Sequence, residues 1–268
     1  MIERISSLMD DYRQTRAMLR FLDANLWIGR PRNPEFASGF DIATLRQRME
    51  RYNIYGGLVS HFGALAYGAG WANEELLKAI EGTGLWACIT LLPEMFWHEA
   101  AGESYLAEMI KRGTRAARVF PATHNFSLRA WCSGALLEAL AAHCIPLVLW
   151  HTETSWEEIR SLCQAYPQLP IIVEGTPRKI LYYSRFYYPL LEQCSNLYLE
   201  LHNLVAYLGI EDLVSRFGAQ RLVFGSFMPV CDPNATLMQV THARISQEDK
   251  MLVARENLAQ LIAGVKQP

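Results

Sequence analysis

Phe21-Leu-Asp-Ala-Asn-Leu-Trp27 is the first β-rich run of the chain, and its composition decides between two architectures. Further runs follow at 56–60, 86–91, 116–120, 145–151, 170–174, 196–202 and 221–226. Their spacing leaves room for one strand, one three-turn helix and two short loops each time, which implies a parallel sheet of eight strands. An open, doubly wound sheet would carry a glycine-rich phosphate loop after its first strand. Asp23, Asn25 and Trp27 occupy that place instead. The sequence therefore predicts α/β architecture as one (β/α)8 TIM barrel spanning 1–268, with an extra N-terminal helix over 1–20 packed on it.

The segments between the runs carry helix chemistry. Ile42, Leu45, Met49 and Tyr52 follow Asp41, and Leu76, Leu77 and Ile80 follow Asn73 and end at Gly82. Ser155 with Glu158 and Ser246 with Asp249 read as capping boxes. A hydrophobic share of 51%, a charged share of 19% and a net charge of −2 exclude a disordered or nucleic-acid-coating chain. The expected partner is a small molecule rather than nucleic acid or membrane. Six cysteines, at 88, 132, 144, 163, 194 and 231, form no CxxC pair and read as reduced core residues. With no signal-type apolar region and no run long enough to span a bilayer, the expected location is the cytoplasm. Ile180 to Pro189 holds four tyrosines and a phenylalanine, a packing face or a possible homo-oligomer contact.

Barrel chemistry gathers at strand C-termini, on the residues that face inward. In Asn196-Leu-Tyr-Leu-Glu-Leu-His202 the leucines share one face, so Glu200 and His202 are expected to point inward. The same alternation puts Phe21, Asp23, Asn25 and Trp27 on one face, with the polar pair inward. His61, His151 and Glu174 stand at other strand ends, and His124 lies in the loop after the fourth strand. Taken singly, a strand histidine is more often a hydrogen-bonded core residue than a catalyst. Glu174 ends an apolar run, where its charge needs a partner such as Arg118. That pair reads equally as a structural clamp or as a substrate anchor.

Several segments together resemble the amidohydrolase superfamily, in particular its amidohydrolase-related branch of decarboxylases and lactonases. They are Phe21 to Gly29, where that branch has Asp-x-His-x-His, Ala117-Arg-Val-Phe-Pro121, Ile145 to His151, Tyr166 to Val173, Arg216 to Ser226 and Glu256 to Leu261. The run from Phe217 to Ser226 is the most specific. The resemblance implies a divalent metal, but its first-strand histidines correspond to Asn25 and Trp27, its sixth-strand histidine to Glu174 and its eighth-strand aspartate to Phe227. His151 alone keeps its family identity. Trp and Phe offer no donor and a neutral amide is a poor one, so the zinc or manganese site is expected to be lost and no cofactor is expected.

Four readings follow. In the first, a metal-independent hydrolase acts on a small cyclic or aromatic carboxylic acid or lactone. His151 or His202 would be the base, Glu200 or Asp23 its orienting carboxylate, and Arg118 the holder of a substrate carboxylate. Asn25, Trp27, His61, His124, Glu174 and Phe227 would line the substrate site, with Trp27, Trp150 and Phe227 offering ring faces, although Phe227 reads better as filling vacated space. The second reading is a decarboxylase using Arg118 and histidine. The third is an inactive barrel that binds a small ligand, and the fourth a rewired metal site from His151, Glu174 and His202.

Overall fold

The structure of the protein is a computed structural model that describes residues 2–31, 40–175 and 183–268, with side chains from Ser6 onward. Its strands are β1 Phe21–Ile28, β2 Ile54–His61, β3 Trp86–Thr90, β4 Thr114–Val119, β5 Leu147–Trp150, β6 Ile171–Glu174, β7 Leu197–Glu200 and β8 Leu222–Val223. All neighbours pair in parallel, in the order β1 to β8. The ring closes where Ala24 N donates to Phe224 O and Trp27 N to Met228 O, each at 2.9 Å. The result is a (β/α)8 barrel.

The helices are α1 Ile2–Leu19, α2 Ile42–Arg51, α3 Ala69–Ile80, α4 Glu99–Lys111, α5 Ala130–Ala142, α6 Trp156–Ala165, α7 Ser184–Gln193, α8 Gly209–Phe217, α9 Asn234–His242, α10 Gln247–Met251 and α11 Asn257–Ala263. Asp41 caps α2 by accepting from Thr44 N at 2.7 Å, and Ser246 caps α10 through Asp249 N at 3.0 Å. Ser155 caps α6 through Glu158 N at 3.1 Å. The box there is only half made, because the Glu158 carboxylate turns to the Thr154 hydroxyl. On α1, Tyr12 donates to Asn234 at 2.9 Å and stacks on His242 of α9. Of the tyrosine-rich stretch, Ile180, Leu181 and Tyr182 lie outside the described residues. Tyr187 is buried in α7 and Phe186 is exposed. No helix among the described residues is long and apolar enough to cross a membrane.

Side chains sort into an outer shell and a stacked interior. Outward residues such as Ile89, Ala117, Leu149, Val173 and Leu199 pack beneath the helices. The interior floor takes Leu22 and Ala24 of β1 and then Leu58, Cys88, Ala116, Val148, Ile172 and Val223, with Tyr198 partly buried against them. Leu258, Leu261 and Ile262 of α11 close this floor from below.

Simple alternation fails in β1. The register runs from Asp23 opposite Gly57 to Leu26 opposite Val59, so β1 carries one extra residue there. Such a bulge turns consecutive side chains to one side: Ala24 joins the interior floor while Asn25 and Trp27 continue the interior above it. Phe21, expected inward, packs outward instead, against Phe224. Gly57 makes the bulge possible, since a Cβ there would lie 2.3 Å from the Asp23 carbonyl oxygen.

Candidate active site

Two residues further along each strand, the next interior layer is polar. Ser60, Arg118, Glu174 and Glu200 follow Leu58, Ala116, Ile172 and Tyr198, and Asn25 joins them from beyond the bulge. All five are buried. Arg118 makes a two-pronged contact with Glu174, Nη1 to Oε2 at 2.6 Å and Nη2 to Oε1 at 2.8 Å, and its Nε donates to Ser60 Oγ at 3.2 Å. Trp150 Nε1 donates to Glu174 Oε2 at 2.9 Å, and the guanidinium lies 4.7 Å from the centre of the Trp27 ring. Burial pushes the Glu174 carboxyl up and the facing guanidinium opposes that shift. A charge buried this deeply persists only when paired and hydrogen-bonded. The expectation that Arg118 holds a substrate carboxylate does not fit this placement: the guanidinium is fully buried and committed to Glu174. Glu174, expected at the substrate, is committed in the same way.

The second half of the layer is built around Glu200. Its Oε1 accepts from His202 N at 2.8 Å, and its Oε2 makes a short contact with His202 Nδ1. Asn25 Nδ2 donates to Glu200 Oε2 at 3.4 Å, and Trp27 Nε1 donates to Asn25 Oδ1 at 2.6 Å. Burial works against the imidazolium of His202, but Glu200 outweighs it and holds the ring's pKa above its ordinary value. Gly225 makes room for this carboxylate, because a Cβ there would lie 2.1 Å from Glu200 Oε1.

Asp23 has a different position from the one alternation suggests. Its Oδ1 accepts from Asn25 N at 2.8 Å and Ser226 N at 3.0 Å, sewing the β1 bulge to the segment after β8. Its Oδ2 has no hydrogen-bond partner among the described residues. Burial pushes the carboxyl up to about 7, with Glu200 adding to the rise against those N–H donors. Glu200, not Asp23, is the carboxylate on His202.

Aromatic rings cover the polar layer. Trp27, Phe62, Phe120, Trp150 and Phe227 pack together, with Trp27 stacked on Phe62 at 4.5 Å between centroids. Phe227 is 8% exposed and its ring lies 5.1 Å from that of His202. Its φ of 54° is left-handed, an unusual state for a bulky residue. The other histidines stand apart from this network. His151 Nδ1 faces the Glu174 carbonyl oxygen at 3.1 Å, and its ring lies against Trp156 and Tyr183. His61 Nδ1 accepts from Gly63 N at 3.0 Å, and burial lowers its pKa. His124 Nε2 lies 3.0 Å from the Ala64 carbonyl oxygen. Ser60, Gly225, Phe62 and Phe120 were not among the sequence candidates. Ser60 and Phe62 follow Leu58 at period two, a signal the sequence does carry.

These positions do not fit a divalent cation. Glu174 gives both oxygens to Arg118, Asn25 gives its oxygen to the Trp27 N–H, and Trp27 and Phe227 have no ligating atom. Among the described residues no three His, Cys, Asp or Glu side chains gather around one point where a metal could sit. The rewired set of His151, Glu174 and His202 fails for the same reason, since Glu174 already faces a guanidinium.

No family profile and no curated protein sequence matches the chain. Solved structures do. One is described as a 2-pyrone-4,6-dicarboxylic acid hydrolase from Pseudomonas putida, with a TM-score of 0.68, 16% identity, and 92% of this chain and 98% of that chain covered. A 2,6-dihydroxybenzoate decarboxylase from Rhizobium matches with a TM-score of 0.68 and 14% identity, covering 91% and 98%. A zinc-bound amidohydrolase from Burkholderia multivorans matches with a TM-score of 0.65 and 14% identity, covering 91% and 99%. The fold of this chain is that of the amidohydrolase-superfamily hydrolases and decarboxylases.

Proposed function

We propose that the protein is an amidohydrolase-superfamily hydrolase that works without a metal on a small lactone or related cyclic or aromatic carbonyl compound, with His202 as general base. The observation that carries this reading is the buried contact between the Glu200 carboxylate and His202 Nδ1. Holding that nitrogen fixes the ring's tautomer and orientation and makes Nε2 the atom that exchanges a proton. Water attacks the lactone carbonyl carbon as Nε2 takes its proton. The ring C–O bond then breaks, and the leaving oxygen recovers that proton from the imidazolium to give a hydroxy acid. General base catalysis of this kind contributes about 10²–10⁴-fold, enough for intrinsically reactive esters and not for amides. Asn25 is a positioning residue between Trp27 and Glu200. Arg118 and Glu174 stiffen the layer beneath.

One observation favours a second reading. The polar groups largely satisfy one another beneath the aromatic cover, as in a barrel that binds a ligand without transforming it. Rates of wild type and His202→Ala over a panel of lactones decide between them. A loss of about 10²-fold or more in the variant, with His151→Ala near wild type, supports the hydrolase. Equal rates in all three proteins, with ligand still bound, establish the binding protein.

A further inference from the structure

The interior layer sets the charge that a substrate can bring to His202. Its guanidinium is neutralised at both prongs by Glu174 and turned away beneath Trp27. When the His202 ring is neutral, as a base must be, the Glu200 carboxylate beside it has no compensating cation. Asp23, fully buried behind Asn25, adds a second negative charge whenever it ionises. These three acidic groups and two basic ones therefore never sum to a positive charge. A carboxylate placed among them would be desolvated without a cation to receive it, and like-charge juxtaposition costs several kcal/mol.

We infer that the end of the substrate delivered to His202 is uncharged, a lactone or ester carbonyl bearing no carboxylate. The inference rests on the hydrolase reading of that histidine and narrows it. It has a consequence for turnover. Hydrolysis converts the neutral carbonyl into a carboxylate at the same place, so the field that admits the substrate drives the hydroxy acid out, and product inhibition is weak. The specificity is thus opposite to that of an arginine-anchored site, in which the same guanidinium would face the ligand.

The test compares two isosteric probes, methyl coumalate and coumalate, a 2-pyrone ester and its free acid, by calorimetric titration of the wild-type protein near neutral pH. The ester is expected to bind at least about tenfold more tightly, a conservative fraction of the like-charge cost. Equal or tighter binding of the acid overturns the inference, and so does failure of both probes to bind at millimolar concentration. In Glu174→Gln, which uncovers the Arg118 charge, the preference is expected to shift toward the acid. In the double variant Arg118→Met/Glu174→Met, which removes both charges, it is expected to stay with the ester. A reversed pattern in these two variants counts against the argument. If the ester binds preferentially but is not hydrolysed, the charge inference stands and the hydrolase reading falls.

Discussion

Asp23→Asn isolates the cost of a carboxyl buried in the wall of the barrel. The folded protein holds this group's pKa up at about 7 against the usual 3.8, chiefly through burial. Between those values the folded chain keeps a proton that the unfolded chain releases. The stability contributed by the protonated form is therefore complete below about pH 4 and lost as pH rises through about 7. The whole span corresponds to on the order of 4 kcal/mol, of which about 2.6 kcal/mol is lost between about pH 5 and about pH 8. An asparagine keeps both bonds that matter, because Asn25 N and Ser226 N converge on the same oxygen, Oδ1. Its amide nitrogen replaces the Oδ2 that has no partner among the described residues, at a cost of about 1–3 kcal/mol that does not depend on pH. The variant should therefore gain on wild type as pH rises, by about 5 °C in Tm between about pH 5 and about pH 8 for a chain of this length. Thermal unfolding of both proteins by circular dichroism across that range measures it. A Tm difference that stays constant with pH refutes the reasoning.

The Glu200→Gln variant removes the charge that holds the His202 pKa up, so the limb of lactone hydrolysis that rises with pH as the ring deprotonates should move to lower pH; an unmoved limb in a pH–rate profile assigns it to another group. Gly225→Ala places a Cβ against Glu200 Oε1 and should cost about 1–3 kcal/mol in chemical denaturation together with most of the lactone hydrolysis, whereas a wild-type rate would show that the carboxylate can relocate freely. Phe227→Gly removes the ring over His202 and relieves its left-handed backbone, worth roughly 1 kcal/mol or more, so kcat/KM for bulky lactones should rise several-fold; a fall would mean that the ring grips the substrate rather than covering the base.

The periodicity of the chain carried the architecture, because hydrophobic alternation and strand spacing are local and a barrel repeats them. In β7 the alternation of Leu197, Leu199 and Leu201 with Tyr198 and Glu200 placed the outer and inner faces where the structure has them. The apolar run ending at Glu174 signalled that its carboxylate needs a cation, and Arg118 is that cation. Three features were decided only by the closed barrel. The extra residue in β1 arises from its fit against β2 on one side and the end of β8 on the other, so strict period two misplaced Phe21 and gave no hint of the Asp23 clamp. Whether the Arg118–Glu174 pair faces a ligand or seals itself depends on how Ser60, Trp27 and Trp150 close over it from three other strands, a matter of ångströms across the barrel. The aromatic cover likewise needs Phe62, Phe120 and Phe227 to meet from loops far apart in sequence. Local pattern determines which side chains enter the interior, and only the tertiary distances determine which of them are spent on one another.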